Sequence, residues 1–224
     1  MPDGVTLAEL VCTRICHDFS GPLGALTAAA ELLADGTVDP REGASVVHEA
    51  AGVLSRRLRF LRAAWGAGGE PMTPVDILEL SEGVPGQGRV QVDLSALPED
   101  APLGTGLART LLNAILLAGE ALPRGGSIRV TANPALGQVL LLPDGPNAAW
   151  PPSLTAVLSG SEAAPDPRGL VAPMTMAVAA AAGLEISLAL APAGVPLLVI
   201  GVPPPSRRQA GGPPAGPSGF AARS

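Results

Sequence analysis

A histidine followed directly by an aspartate, His17-Asp18, is the pair of side chains in this sequence best suited to chemistry. A solvated imidazole is a nucleophile that titrates near neutral pH. A neighbouring carboxylate can accept one ring N–H and leave the other ring nitrogen free to attack. We therefore predict that His17 is catalytic and that Asp18 orients it or acts as a base. Arg14 lies at helical ion-pair spacing from Asp18, so pairing of Asp18 with Arg14 instead of His17 stays open.

The apolar pattern around His17 predicts which way its side chain points. Residues with a three/four spacing form one stripe of a first helix over about residues 7–34, and His17 falls outside that stripe. We expect His17 to face solvent, and we expect the two cysteines to pack in the core. The members of the stripe are Cys12, Ile15, Cys16, Phe19, Leu23, Leu26, Ala30 and Leu33.

The residues one helical turn from His17 are polar or very small, which predicts a smooth surface that another protein can approach. Arg14, Ser20, Gly21 and Gly24 are the candidate docking residues on this surface. The competing interpretation is that His17 is an ordinary surface histidine on a helical bundle. His48, the other histidine, has no acidic or thiol neighbours at ligand spacing and is predicted to lie on the surface.

A second helix is predicted from Pro40 to about Trp65, because Asp39 is a good N-cap and proline favours the first helical position. Its apolar face is too wide to be buried within one antiparallel helix pair. Two such hairpins packed as a four-helix bundle can bury it, so residues 1–68 are predicted to form a homodimer. Four arginines late in this helix are interpreted as a solvated face: Arg56, Arg57, Arg59 and Arg62.

The glycine-rich stretch 66–71 predicts a linker to a second domain over residues 72–202. Alternating strand and helix patterns there favour an α/β sandwich, with helices at 106–122 and 169–182 and strands near 89–94, 127–132, 138–142, 184–190 and 195–202. The fold class is therefore α+β. Residues 203–224 are rich in Pro, Gly, Ser and Arg, and we predict a disordered tail.

Composition excludes several classes of function. The net charge of −6 argues against a nucleic-acid partner. A signal peptide and an unbroken apolar membrane span are both missing from the pattern, which predicts a cytoplasmic protein. The sequence has no phosphate-binding Walker loop, no dinucleotide glycine fingerprint and no cluster at metal-ligand spacing, so we expect no bound cofactor and no metal.

The first helix resembles the dimerisation and phosphotransfer helix of two-component histidine kinases, whose pattern of histidine, acid, proline and leucine is matched here by His17, Asp18, Pro22 and Leu23. The second domain then occupies the place of the kinase ATP-binding domain, in degenerate form. Asn113 matches the first asparagine of the kinase Asn box, but Leu117 replaces the asparagine that holds magnesium. Two glycine-rich kinase loops are shortened to Asp144-Gly145-Pro146 and Arg168-Gly169-Leu170.

This combination, over residues 5 to about 202, is similar to the ChpT-type histidine phosphotransferases of alphaproteobacterial cell-cycle phosphorelays. The resemblance implies a homodimer that takes a phosphoryl group from the receiver domain of a hybrid kinase and passes it to response regulators through His17. The Mg²⁺ of the reaction is expected in the partner receiver domain. Two other functions stay open: an active histidine autokinase, and a non-catalytic module that binds response regulators.

Overall fold

The structure is a computed structural model that describes residues 4–85, 88–161, 166–191 and 194–203. Apart from Pro203, the predicted disordered tail therefore lies outside the described residues. The chain begins with two long helices and continues into a five-stranded sheet with four further helices in the described part. The α+β class predicted from the sequence is confirmed.

Two helices, α1 (Gly4–Ala34) and α2 (Pro40–Trp65), form the N-terminal hairpin. The side chain of Asp39 caps α2 by accepting hydrogen bonds from the backbone N–H groups of Arg41 and Glu42, at 2.8 and 3.4 Å. These bonds satisfy donors that a helix start otherwise leaves unpaired. The predicted start and end of α2 are both confirmed.

One face of the hairpin stays exposed in the single chain, although its residues are apolar. Cys12 and Cys16 are also exposed, so the expected packing of both thiols in the core does not occur within one chain. A surface of this kind is typical of an interface with another molecule. The dimer stays a prediction. The large exposed apolar side chains of the two hairpin helices are Val5, Ile15, Leu23, Leu32, Val46 and Leu58.

The rest of the chain forms a two-layer unit of sheet and helices. Its elements are α3 (Pro74–Ser81), β1 (Val90–Asp93), α4 (Thr105–Glu120), β2 (Gly126–Asn133), β3 (Gln138–Asp144), α5 (Pro152–Leu158), α6 (Val171–Ala181), β4 (Glu185–Ala189) and β5 (Leu197–Gly201). The strand order is β1-β2-β3-β5-β4, with β1 parallel to β2 and the other pairs antiparallel. Helices α3 and α5 were not predicted from the sequence.

The core lies between the sheet and the helices. Inward positions alternate along the strands, as at Ile128 and Val130 of β2, and α4 is buried over most of its length. The last turns of α2 belong to this same core, because Phe60 and Ala64 are fully buried in one cluster with α4. The C-terminal unit therefore packs directly on the end of the hairpin. The predicted domain boundary at residues 68–72 stays a prediction.

Candidate functional site around His17

His17 lies on the exposed surface of α1, where 77% of its side chain is accessible. Its Nδ1 atom lies 3.3 Å from Oδ1 of Asp18. If Nδ1 carries the ring proton, it donates to that carboxylate, and Nε2 is then the nitrogen with a free lone pair. The structure thus shows the exposed imidazole that the apolar pattern predicted, beside the carboxylate expected to orient it.

Asp18 contacts two cationic or polar partners at once, one with each carboxylate oxygen. Oδ1 faces His17, and Oδ2 accepts a 3.0 Å hydrogen bond from Nε of Arg14. The Asp18 side chain is only 10% exposed. The two alternatives left open by the sequence, pairing with His17 or with Arg14, therefore occur together.

The side chains of His17, Asp18 and Arg14 form one cluster, and Arg14 joins this cluster to the C-terminal unit. Its Nη1 group donates a 2.9 Å hydrogen bond to Oε1 of Glu120, the last residue of α4. Burial would lower the pKa of Arg14, but the charges of Asp18 and Glu120 and its hydrogen bonds to them raise it overall. Burial also raises the pKa of Glu120, and the nearby Arg14 only partly offsets this. Because Glu120 follows Arg14 by 106 positions, no local sequence pattern indicates this contact.

Arg57 of α2 contacts the same cluster from the other helix of the hairpin. Its Nη1 group donates a 2.6 Å hydrogen bond to the backbone carbonyl of Asp18. Burial lowers the pKa of Arg57; the charge of Asp18 opposes that effect and the charge of Arg14 adds to it. The prediction that the α2 arginines form a solvated face is wrong for Arg56 and Arg57, which are both partly buried, while Arg59 and Arg62 are exposed as expected.

The predicted docking residues do not all lie on the open surface. Ser20, Gly21 and Gly24 are exposed, and a methyl group added at either glycine would meet no atom within 4 Å. The surface beside His17 is therefore smooth at these three positions, which we call the glycine patch. Arg14 differs, because its side chain is 11% exposed and its guanidinium is engaged by two carboxylates.

Asn113, which matches the kinase Asn box, is fully buried and makes three hydrogen bonds. Its Oδ1 accepts from the indole N–H of Trp65 at 2.8 Å, and its Nδ2 donates to the carbonyls of Ala64 and Arg109 at 3.1 and 2.9 Å. The amide therefore fastens α4 to the end of α2. Leu117, one turn later, is also fully buried.

The glycines that match the kinase phosphate loops are accounted for by packing. A methyl group at Gly145 would lie 2.4 Å from the carbonyl oxygen of Gly125, so the absent side chain lets two loops pack closely. At Gly169 it would lie 3.3 Å from Cβ of Ser153, near α5. An open cavity of about 680 Å³ lies beside Asp144 and Trp150.

Within the described ranges, no group of three or more His, Cys, Asp and Glu side chains is placed to hold a metal ion. None of the described helices combines the length and apolar character needed to cross a bilayer. The cytoplasmic location stays a prediction.

An exposed histidine on a helical hairpin, with a sheet-and-helix unit packed on the end of that hairpin, is the arrangement expected of a histidine phosphotransferase. The chain belongs to the histidine phosphotransferase family, since residues 74–194 match the model of the histidine phosphotransferase C-terminal domain. It is similar to the protein phosphotransferase ChpT of Brucella abortus (strain 2308), with 28% identity over 192 residues, 81% of this chain and 89% of that protein. It is also similar to a solved bacterial phosphotransferase, with a TM-score of 0.70, 25% identity and coverage of 89% of this chain and 97% of the other.

Proposed function

We propose that this phosphotransferase accepts a phosphoryl group on Nε2 of His17 from the aspartyl phosphate of one receiver domain and donates it to the aspartate of another. The observation that carries the proposal is the contact between Nδ1 of an exposed His17 and the carboxylate of Asp18. This contact favours one tautomer and directs the free nitrogen away from the protein. Two relatives are named a protein phosphotransferase and a bacterial phosphotransferase, which supports phosphoryl transfer as the activity.

In the forward step a bond forms between Nε2 of His17 and phosphorus, and the bond between phosphorus and the donor's carboxylate oxygen breaks. The donor aspartate leaves as a carboxylate. The proton on Nδ1 stays in place, so the phosphorylated ring gains positive charge next to Asp18. The reverse reaction with a second receiver restores the neutral ring. The contribution of this chain is mainly to position the His17 imidazole for attack. The acidic pocket of the receiver, with the Mg²⁺ expected there, would stabilise the charge on the phosphoryl oxygens.

We further propose that the chain does not phosphorylate itself from ATP. Mg²⁺ prefers hard oxygen ligands, and Leu117 offers none at the position where kinases use an asparagine. The Asn113 side chain is committed to internal hydrogen bonds, two with Trp65 and Ala64 of α2 and one with Arg109 of its own helix. Gly145 packs closely against Gly125, and this single glycine does not supply the series of backbone N–H groups that surrounds phosphates in a glycine-rich loop.

The glycine patch and the exposed apolar face of the hairpin serve two different contacts in this proposal. The glycine patch lies beside His17 and admits a receiver domain, because Ser20 is the one residue of the three in the patch that has a side chain beyond hydrogen. The apolar face, which includes Leu58 and Leu23, pairs with a second copy to form a four-helix bundle. A dimer of this kind presents two copies of His17.

A labelling experiment with three arms separates the candidate functions. In the first arm the wild-type chain is mixed with radiolabelled ATP. In the second arm it is mixed with a receiver domain that carries labelled phosphate. In the third arm the His17→Ala chain is mixed with that same labelled receiver. We expect label on the chain only in the second arm. Label from ATP alone would identify an autokinase. A His17→Ala chain that still binds the receiver, beside a wild type that gains no label, would identify a binding module.

A further inference from the structure

We infer that Glu120, at the end of α4, is a positioning residue for phosphotransfer at His17, acting through Arg14 and Asp18. The inference rests on the proposed function and adds a role for the C-terminal unit. The C-terminal unit supplies the Glu120 carboxylate, which contacts Arg14 in the cluster next to His17.

The contacts form an unbroken series from the second unit to the imidazole. Glu120 Oε1 lies 2.9 Å from Arg14 Nη1, and Arg14 Nε lies 3.0 Å from Asp18 Oδ2. Asp18 Oδ1 then lies 3.3 Å from His17 Nδ1. Arg14, Asp18 and Glu120 are 11%, 10% and 21% exposed, so solvent screens the inner contacts far less than a surface ion pair.

The balance of charge behind His17 depends on Glu120. Two cations contact Asp18: Arg14 at its carboxylate and Arg57 at its backbone carbonyl. Without Glu120 these three groups sum to one positive charge beside a ring that becomes positive when Nε2 is phosphorylated. The Glu120 carboxylate brings the cluster to neutrality, so the ring's new charge is not opposed.

Glu120 also keeps the guanidinium of Arg14 in place. Arg14 uses separate nitrogens for its two carboxylates, and the planar geometry of the group fixes one contact relative to the other. The helix that carries Glu120 is itself fixed to α2 through Asn113 and Trp65. A reactive side chain held by supporting residues on rigid elements keeps its geometry better than one on a free surface.

The test uses the full chain with Glu120→Gln, which keeps the shape and a hydrogen-bond acceptor but removes the charge. Glu185→Gln, at an exposed position of β4, is the matched control. Three quantities are measured: the single-turnover rate at saturating phosphorylated receiver, the Kd for the receiver, and the His17 tautomer by ¹⁵N NMR. We expect Glu120→Gln to slow transfer on the order of 10-fold, as for outer partners of other oriented histidines. In the Glu120→Gln chain we expect an unchanged Kd for the receiver and a smaller fraction of His17 in the Nδ1–H tautomer. The Glu185→Gln chain should match the wild type in all three quantities.

A double-mutant cycle with Asp18→Asn tests whether Glu120 acts through Asp18. In the Asp18→Asn chain, we expect Glu120→Gln to slow transfer by less than 2-fold. The side chain of residue 18, through which Glu120 acts on His17, is already neutral in that chain. A Glu120→Gln chain that transfers at the wild-type rate, or one whose whole defect is a weaker Kd, would overturn the inference. Equal fold-losses in both backgrounds would also overturn it. Failure of the proposed function gives a different result, since the wild type itself then gains no phosphohistidine.

Discussion

The guanidinium of Arg57 donates a 2.6 Å hydrogen bond to the backbone carbonyl of Asp18. This carbonyl receives no backbone hydrogen bond from Pro22, which lies four residues later in α1. In a regular helix the N–H of residue 22 would donate to this oxygen, but proline has none. Arg57 of α2 thus satisfies an acceptor that the proline of α1 leaves open. Pro22 of α1 leaves the carbonyl available, and Arg57 of α2 binds it, so this hydrogen bond joins the two helices of the hairpin.

Replacing Arg57 should destabilise the hairpin. For Arg57→Met, which keeps much of the apolar stem, we expect the free energy of unfolding to fall by about 1.5–3 kcal/mol, the range for hydrogen bonds to charged groups. Arg59→Met, at an exposed position of the same helix, is the control and should change it by less than about 0.5 kcal/mol. Urea unfolding followed by circular dichroism measures both. The Pro22→Ala background, which restores the backbone N–H, should make Arg57→Met less costly, and equal costs in both backgrounds would contradict the assignment.

Substitution on the exposed apolar face should dissociate the proposed dimer. Leu58 is 58% exposed in the single chain, and its burial in a four-helix bundle contributes roughly 1.5–3 kcal/mol per copy. We expect Leu58→Asp to be monomeric by light scattering at concentrations where the wild type is dimeric. Leu136→Asp, also exposed but in the turn between β2 and β3, should leave the dimer intact. A dimeric Leu58→Asp chain would place the interface elsewhere.

A longer side chain in the glycine patch should block receiver docking without harming the fold. Gly21→Gln places a polar chain in open space beside His17, and replacing a helical glycine stabilises the helix by up to about 1 kcal/mol. We expect receiver affinity to fall at least 10-fold by titration calorimetry while the unfolding midpoint stays equal or rises. Ala28→Gln, two turns further along the same side of α1, is the control. Unchanged affinity in Gly21→Gln would remove the patch from the docking surface.

The stability of the chain should carry a pH dependence that comes from Glu120. Because burial raises its pKa above the ordinary 4.5, the folded state binds this proton more tightly than the unfolded state does. The contribution of Glu120 to stability therefore falls as pH rises from 4.5 to the raised value. The free energy of unfolding of the wild type, relative to Glu120→Gln, should decline across that window and then level off. A relative stability that rises across it would mean that Arg14, and not burial, dominates.

Local signals in the sequence were sufficient for most elements. The Asp39-Pro40 start of α2 and the alternation in the strands depend on neighbouring residues, and the structure confirms both. Helix α3 was missed although a readable signal exists: Thr73 and Asp76 cap its start reciprocally. Helix α5 is short and has no side-chain cap, so its signal is weaker.

The site was predictable only in its local part. The exposure of His17 follows from its position along one helix, whereas its contact with Asp18 was one of two alternatives that the sequence left open. Arg57 and Glu120 reach the same cluster from 39 and 106 positions away, and tertiary packing alone brings them there. The exposed state of Cys12 and Cys16 has a similar cause, since periodicity finds an apolar stripe but does not say which molecule covers it.

The location of the phosphoryl group tests the central claim most directly. The full chain is charged by a phosphorylated receiver, digested under alkaline conditions that preserve phosphohistidine, and sequenced by mass spectrometry, with ³¹P NMR of the intact chain to identify the ring nitrogen. We expect one phosphate, on Nε2 of His17, and none on a His17→Ala chain. Phosphate on His48, or a His17→Ala chain that is labelled as well as the wild type, would contradict the account.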